Sequence, residues 1–158
     1  MQHAMHQSGK AKGHYGRLLI MIALSFVAMY VLMYAMVDSY GNVFSNINQF
    51  YMAGLMAAPM LLIELLLMAS MYPNRKLNLA LLGVGLGFMV LCWVGIRQQA
   101  AVSDQQFLRS MIPHHGAAIL MCEQNKLRDS ELIQLCEEIM TSQQREIDFM
   151  QAKLREQR

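Results

Sequence analysis

The chain has 158 residues, 55% of them hydrophobic and 15% charged, with a formal net charge of +2. That is too apolar for an ordinary soluble domain, and the absence of a Lys/Arg block with interleaved aromatics excludes a nucleic-acid partner. Three cysteines, Cys92, Cys122 and Cys136, exclude a disulfide scaffold, while 16 methionines are far more than a core needs as gap-fillers.

Residues 1–17 are polar and basic, with His3, His6 and His14, and cannot bury a core of their own, so a disordered or juxtamembrane tail is expected. Residues 18–37 form a charge-free apolar run long enough to cross about 30 Å of hydrocarbon as a helix. A cleaved signal peptide is the alternative, but the run exceeds the usual ~7–15 apolar residues. The linker that follows carries Asp38, Gly41, Asn42, Asn46 and Asn48, which favour turns and solvent. A second apolar run over residues 50–72 holds one acid, Glu64. Pro73 and Asn74 stop it, Arg75 and Lys76 follow, and a third run over 77–96 is closed by Arg97. Residues 18–97 thus read as a three-span region in a lipid bilayer.

Lys10, Lys12 and Arg17 precede the first span and Arg75 and Lys76 separate the second from the third, whereas the first linker has no Lys or Arg. The positive-inside rule then places the amino end in the cytoplasm and the segment after Arg97 outside, which in a bacterial inner membrane means the periplasm or the extracellular side.

From Ser103 the pattern becomes that of amphipathic helices. Ser103 and Gln106 have the spacing of a capping box, and Asp129 or Ser130 can cap a second helix. In the latter, Leu132, Cys136, Ile139, Met140, Gln143, Ile147, Met150 and Leu154 share one face. Residues 103–158 read as a helical hairpin too small to be stable alone, so a homodimer forming a four-helix bundle is expected. The fold class is all-α, three transmembrane helices followed by this extramembrane hairpin.

Helical spacing places Met111, His114, His115, Met121 and Cys122 within an arc of about 120°. Thioether, imidazole and thiolate are ligands that suit Cu(I); zinc is the alternative through the two histidines. Pro113, inside the pattern, removes one backbone bond and is expected to kink the helix at the histidines. Cys122 and Cys136 sit at similar distances from the turn near Arg128, and three outcomes stand side by side: a disulfide, copper thiolates, or plain apolar packing.

The segment FLRSMIPHHGAAILMCEQ, followed by EEIMTSQQREIDFMQAKL, resembles the domain-of-unknown-function family numbered 305 over about residues 104–154. The resemblance implies a ferritin-like four-helix bundle and copper binding or copper resistance through Met and His. Carried over by position, it implies Met111, His114, His115, Met121, Met140 and Met150 as ligands, with Gln143 and Glu146 as supporting polar residues. This chain departs from the family in having a single unit and in placing Cys122 where a small residue is commoner.

The apolar half holds a second constellation. Met52, Met56, Met60, Glu64 and Met68 recur every four residues, and Met29, Met33 and Met36 form a similar stripe on the first span. Such spacing drifts about 40° per step, giving a slanted ladder. Gly83, Gly85 and Gly87 on the third span would let another helix approach closely. The Met repeat and the G-x-x-x-G resemble eukaryotic high-affinity copper transporters. An intramembrane path through Met29, Met33, Met52, Met56, Met60 and Glu64 is therefore a candidate, with Ser25, Tyr30, Tyr34 or a second copy of Glu64 as the partners expected for that carboxylate.

A membrane-anchored Cu(I)-binding protein, acting in sequestration, tolerance or hand-over to other copper-handling proteins, is the leading expectation. An oligomeric metal transporter and a metal-free scaffold are the alternatives. No nucleophile with a base, paired carboxylates or phosphate-cradling loop can be assembled, so no enzyme is expected.

Overall fold

A computed structural model describes the backbone of residues 2–157 and the side chains of residues 13–157, so the expectations resting on the side chains of His3, His6, Lys10 and Lys12 lie outside the described residues. Every regular element among the described residues is helical: α1 (Gln2–Leu32), α2 (Ile47–Leu67), α3 (Arg75–Gln98), α4 (Asp104–Gln124) and α5 (Ser130–Glu156), with short 3-10 turns at Met33–Met36, Tyr40–Asn42 and Ala69–Met71. The chain divides into two compact units, Met1–Val31 with Phe50–Ala100 and Leu32–Gln49 with Ala101–Arg158.

The first unit holds α1, α2 and α3. Three helical stretches, Gly13–Met36, Ile47–Leu67 and Arg75–Gln98, are long and apolar enough to cross a membrane. Their surfaces explain why water would not suit them: Leu24, Leu67, Leu79 and Leu91 are all largely exposed. α1 starts at Gln2, ahead of the first apolar run.

The buried stripe of α2 is made of small residues followed by leucines, Ala53, Ala57, Ala58, Leu61 and Leu65. An added Cβ on Gly54 would meet Phe88 at 3.0 Å, on Gly85 would meet Leu61 at 3.0 Å, and on Gly95 would meet the Tyr51 ring at 2.9 Å. The close approach of α2 and α3 therefore rests on three glycines, of which the sequence pointed to Gly85 alone, and neither glycine of the G-x-x-x-G, Gly83 or Gly87, takes part. Gly83 and Gly87 have nothing within 4 Å. Leu18 of α1 closes a second cluster with Leu61, Leu65 and Tyr72.

A polar corner completes this unit. Asn74 caps α3 by accepting from the Leu77 amide at 3.1 Å. Tyr15 donates to Asn78 at 2.7 Å, and Asn78 donates to the Tyr72 carbonyl at 2.8 Å. Glu64 accepts from the Tyr72 hydroxyl at 3.1 Å, a partner that the sequence did not suggest. It also lies only three residues before the end of α2, about 5 Å along the axis, rather than at mid-helix.

The second unit is the hairpin with the α1–α2 linker folded onto it. Ser103 accepts from the Gln106 amide at 3.4 Å, but the Gln106 side chain does not return to Ser103; it accepts from the amide of Ile47, the first residue of α2, at 2.9 Å. Asp129, not Ser130, caps α5, accepting from Glu131 at 2.8 Å and Leu132 at 3.3 Å. Ile112 and Ile119 of α4 pack on Ile147, Met150 and Leu154 of α5, with Phe44 of the linker, Leu108, Met111 and Met140 around them. Pro113 is buried within α4, which is assigned as one uninterrupted helix through the histidines.

The linker is not the solvated turn its composition suggests. Asn42 and Asn46 are buried, at 4% and 6% exposure. Asn42 donates to Asp38 at 2.9 and 3.1 Å and accepts from Gln151 of α5 at 2.8 Å. Tyr34 donates to the Phe44 carbonyl at 2.8 Å, and Asn46 accepts from the Gln49 amide at 2.9 Å at the start of α2. These polar residues spend their hydrogen bonds inside the unit.

Candidate functional site on the α4 edge

The arc of candidate ligands on α4 runs from the core to the solvent. Successive helical residues diverge by about 100°, so His114 and His115 cannot share one environment. His115 is buried at 6% exposure, His114 is exposed, and the two rings lie 6.1 Å apart.

Both nitrogens of His115 are committed. Nδ1 lies 2.9 Å from the Met111 carbonyl, which can only accept, and Nε2 lies 2.7 Å from Glu146 of α5. The Glu146 side chain is 51% exposed, so the pair straddles the edge of the core. Glu146 is thus the direct partner of His115 and pins α4 to α5. His115 thus bridges α4 and α5, and a metal at this ring would have to displace the carboxylate or the helix carbonyl.

The sulfur donors sort in the same way. Met150 is a core residue at 7% exposure, and Met111 and Met140 pack against the same cluster. Cys122 and Cys136 form a disulfide at the turn end of the hairpin, with Cα atoms 5.3 Å apart. As a disulfide they are not the thiolates a copper site would use, which corrects their place among the ligands. Met121 is 54% exposed, Met111 is partly buried at the core edge, and Gln143 is likewise partly buried. Among the described residues no three His, Cys, Asp or Glu side chains converge to hold an ion.

What remains available on α4 is His114, with Met111 one turn before it and Met121 two turns after. Three residues span about 4.5 Å of axis and seven about 10.5 Å, so Met111 can share an ion with His114 and Met121 cannot.

The intramembrane ladder is not drawn together. Met52 and Met56 are 42% and 41% exposed, on the side of α2 opposite its buried alanines, while Met29, Met33 and Met60 are partly buried. One feature of the site was missed in the sequence. Gly116 is the point where Asp38 and Val37 of the linker close onto α4, leaving no room for a Cβ. Glu146, already expected as a supporting polar residue, stands beside the core residue Ile147, at an edge position from which it reaches His115 across the hairpin.

The family model described as Domain of unknown function (DUF305) matches residues 95–154. A curated relative, "Uncharacterized protein L153" of Acanthamoeba polyphaga mimivirus, is 35% identical over 144 residues, covering 89% of this chain and 93% of that protein. The chain belongs to the DUF305 family. The DUF305 match ends at Leu154, the last core residue of α5, and takes in both histidines, Glu146 and the disulfide. The likeness to the viral relative, 144 residues long, extends beyond the DUF305 match into the part of this chain that holds the apolar helices. No solved structure matches the chain.

Proposed function

We propose that the protein is a membrane-anchored binder of Cu(I) or a similar soft cation, held on the exposed edge of α4. The amino end lies in the cytoplasm and the hairpin on the outer side, the periplasm where the membrane is a bacterial inner membrane, because Arg17, Arg75 and Lys76 flank the same ends of the apolar helices. The protein sequesters the ion or hands it to another copper-handling protein and turns over no substrate. It works as a homodimer.

The observation that carries this reading is the uncommitted imidazole of exposed His114 one helical turn from the Met111 thioether, beside a histidine whose nitrogens are both committed. Imidazole with thioether is a donor set that favours Cu(I) over hard cations. The transport alternative has less behind it, since Met52 and Met56 face outward and Glu64 is occupied by Tyr72.

The test is a Cu(I) competition titration of the full chain in detergent, with ascorbate holding the ion reduced. His114→Ala is expected to weaken binding at least tenfold, whereas His115→Ala is expected to destabilise the hairpin by about 2 kcal/mol, the cost of emptying a buried, hydrogen-bonded position. Equal Cu(I) affinity in wild type and His114→Ala would refute the site.

A further inference from the structure

The hairpin has a second helical seam that its own core does not use. On α4, Phe107, Met111, His114, Ala118 and Met121 follow at intervals of four and three; on α5, Leu132, Leu135, Ile139, Ser142, Glu146, Phe149 and Lys153 do the same. This is the heptad spacing of a seam that receives another pair of helices. Phe107, Met121, Leu132, Leu135 and Phe149 are exposed by 49%, 54%, 47%, 49% and 61%. The His115–Glu146 bond places both stripes on one side of the hairpin, since His115 lies between the core of α4 and its stripe and Glu146 is itself part of the α5 stripe. The other side is occupied by the linker, through Asp38 at Gly116 and Asn42 at Gln151.

We propose that a second copy of this chain covers that face, closing a four-helix bundle, and that the soft-metal site is shared: His114 and Met111 from each copy hold one ion. This rests on the Cu(I) reading above. Three observations select a second copy as the occupant. Large half-exposed side chains offer roughly 100 Å² each, about 500 Å² per copy from the five named. With Met111, Ile139 and the stem of Lys153 added, two such faces approach the roughly 1,200 Å² at which stable interfaces begin. Copies anchored by the same apolar helices present this face at the same height, which raises their effective concentration. Finally, one chain supplies only two donors within reach of an ion, and His114 is the midpoint of the α4 stripe. About a two-fold axis through the middle of that seam, whether parallel or perpendicular to α4, the midpoint residue meets its own copy. An imidazole pair with a thioether pair then completes a four-donor site that a single chain lacks.

The test uses the full chain in lipid nanodiscs and in detergent, with mass measurement for the oligomeric state and Cu(I) itself as the probe. The wild type is expected to be a dimer binding one Cu(I) per two chains. Leu135→Asp/Phe149→Asp is expected to be monomeric and to lose at least a hundredfold in Cu(I) affinity, with helicity and the Cys122–Cys136 disulfide intact. Phe149→Ala, the milder variant, is expected to shift both properties together by a smaller amount. His114→Ala is expected to stay dimeric and lose the ion. One Cu(I) per chain, unchanged affinity in the monomeric variant, or a monomeric wild type whose apolar face lies on lipid would overturn the shared site while leaving binding at His114 standing. A wild-type dimer that takes up no Cu(I) would remove the metal reading, and the shared site with it.

Discussion

Gly116→Ala isolates the contact between linker and hairpin. A Cβ at position 116 would run into the Asp38 carboxylate, lying 3.2 Å from its Cγ and 3.4 Å from Val37 Cγ1. Asp38 has little freedom to turn away, because both carboxylate oxygens accept from the buried Asn42 amide. Moving it sacrifices a charge-assisted hydrogen bond worth roughly 1.5–3 kcal/mol. Alanine returns about 1 kcal/mol through its better helix propensity. The net expectation is a loss of about 0.5–2 kcal/mol, read by hydrogen exchange of α4 and α5 amides in the detergent-solubilised full chain. In an Asp38→Ala background the clash is gone, so the same change is expected to be neutral or stabilising by up to about 1 kcal/mol, a coupling of about 2 kcal/mol across the cycle. If Gly116→Ala costs as much without Asp38 as with it, the linker does not close on α4 and the reasoning fails.

Other expectations follow from the same geometry. Cys122→Ser/Cys136→Ser opens a loop with a sequence separation of 14 and is expected to cost about 3 kcal/mol by the chain-entropy estimate, measured by thermal unfolding, while leaving Cu(I) affinity at His114 unchanged. Tyr72, in the connection between α2 and α3, has its phenol pushed above the usual 10.0 by burial and by the Glu64 carboxylate. The folded state therefore holds this proton more tightly than the unfolded chain, so the contribution is complete below pH about 10 and is lost as pH rises through the folded value. Ultraviolet titration should show one tyrosine ionising late, and Tyr72→Phe should abolish it. Met52→Leu/Met56→Leu and Glu64→Gln are expected to leave Cu(I) binding by the full chain unchanged; a loss in either would restore the intramembrane path.

The apolar helices were legible in the sequence because length and absence of charge suffice to find them, and the break at Pro73 and Asn74 is a local signal. The packing between them was not legible, because Gly54 and Gly95 stand outside any repeat and only the fold shows that Phe88 and Tyr51 lie against them. The hairpin was found by its periodicity, as was the face of α5 that carries Ile147, Met150 and Leu154. The linker was misread for a physical reason: Asn and Asp favour turns equally well whether their side chains meet water or other buried groups, and only tertiary partners such as Gln151 distinguish the two.

The pair of histidines is the point at which composition and geometry part. Two adjacent imidazoles suggest a chelate when read as a string, yet a helix turns them about 100° apart and sends one to each side of a boundary. The core side supplies His115 with a carbonyl and a carboxylate, which meets the requirement that a buried polar ring be hydrogen-bonded. Having both nitrogens filled makes it a poor ligand but a good support, because it holds α4 against α5 and so sets the direction in which His114 points. Adjacent positions thus divide the labour, the inner ring fixing the helix and the outer ring left open to whatever approaches the exposed seam. On that argument His115→Ala should impair metal binding only through the position of α4, and His115→Asn, which can still reach one partner, should recover more binding than it recovers stability.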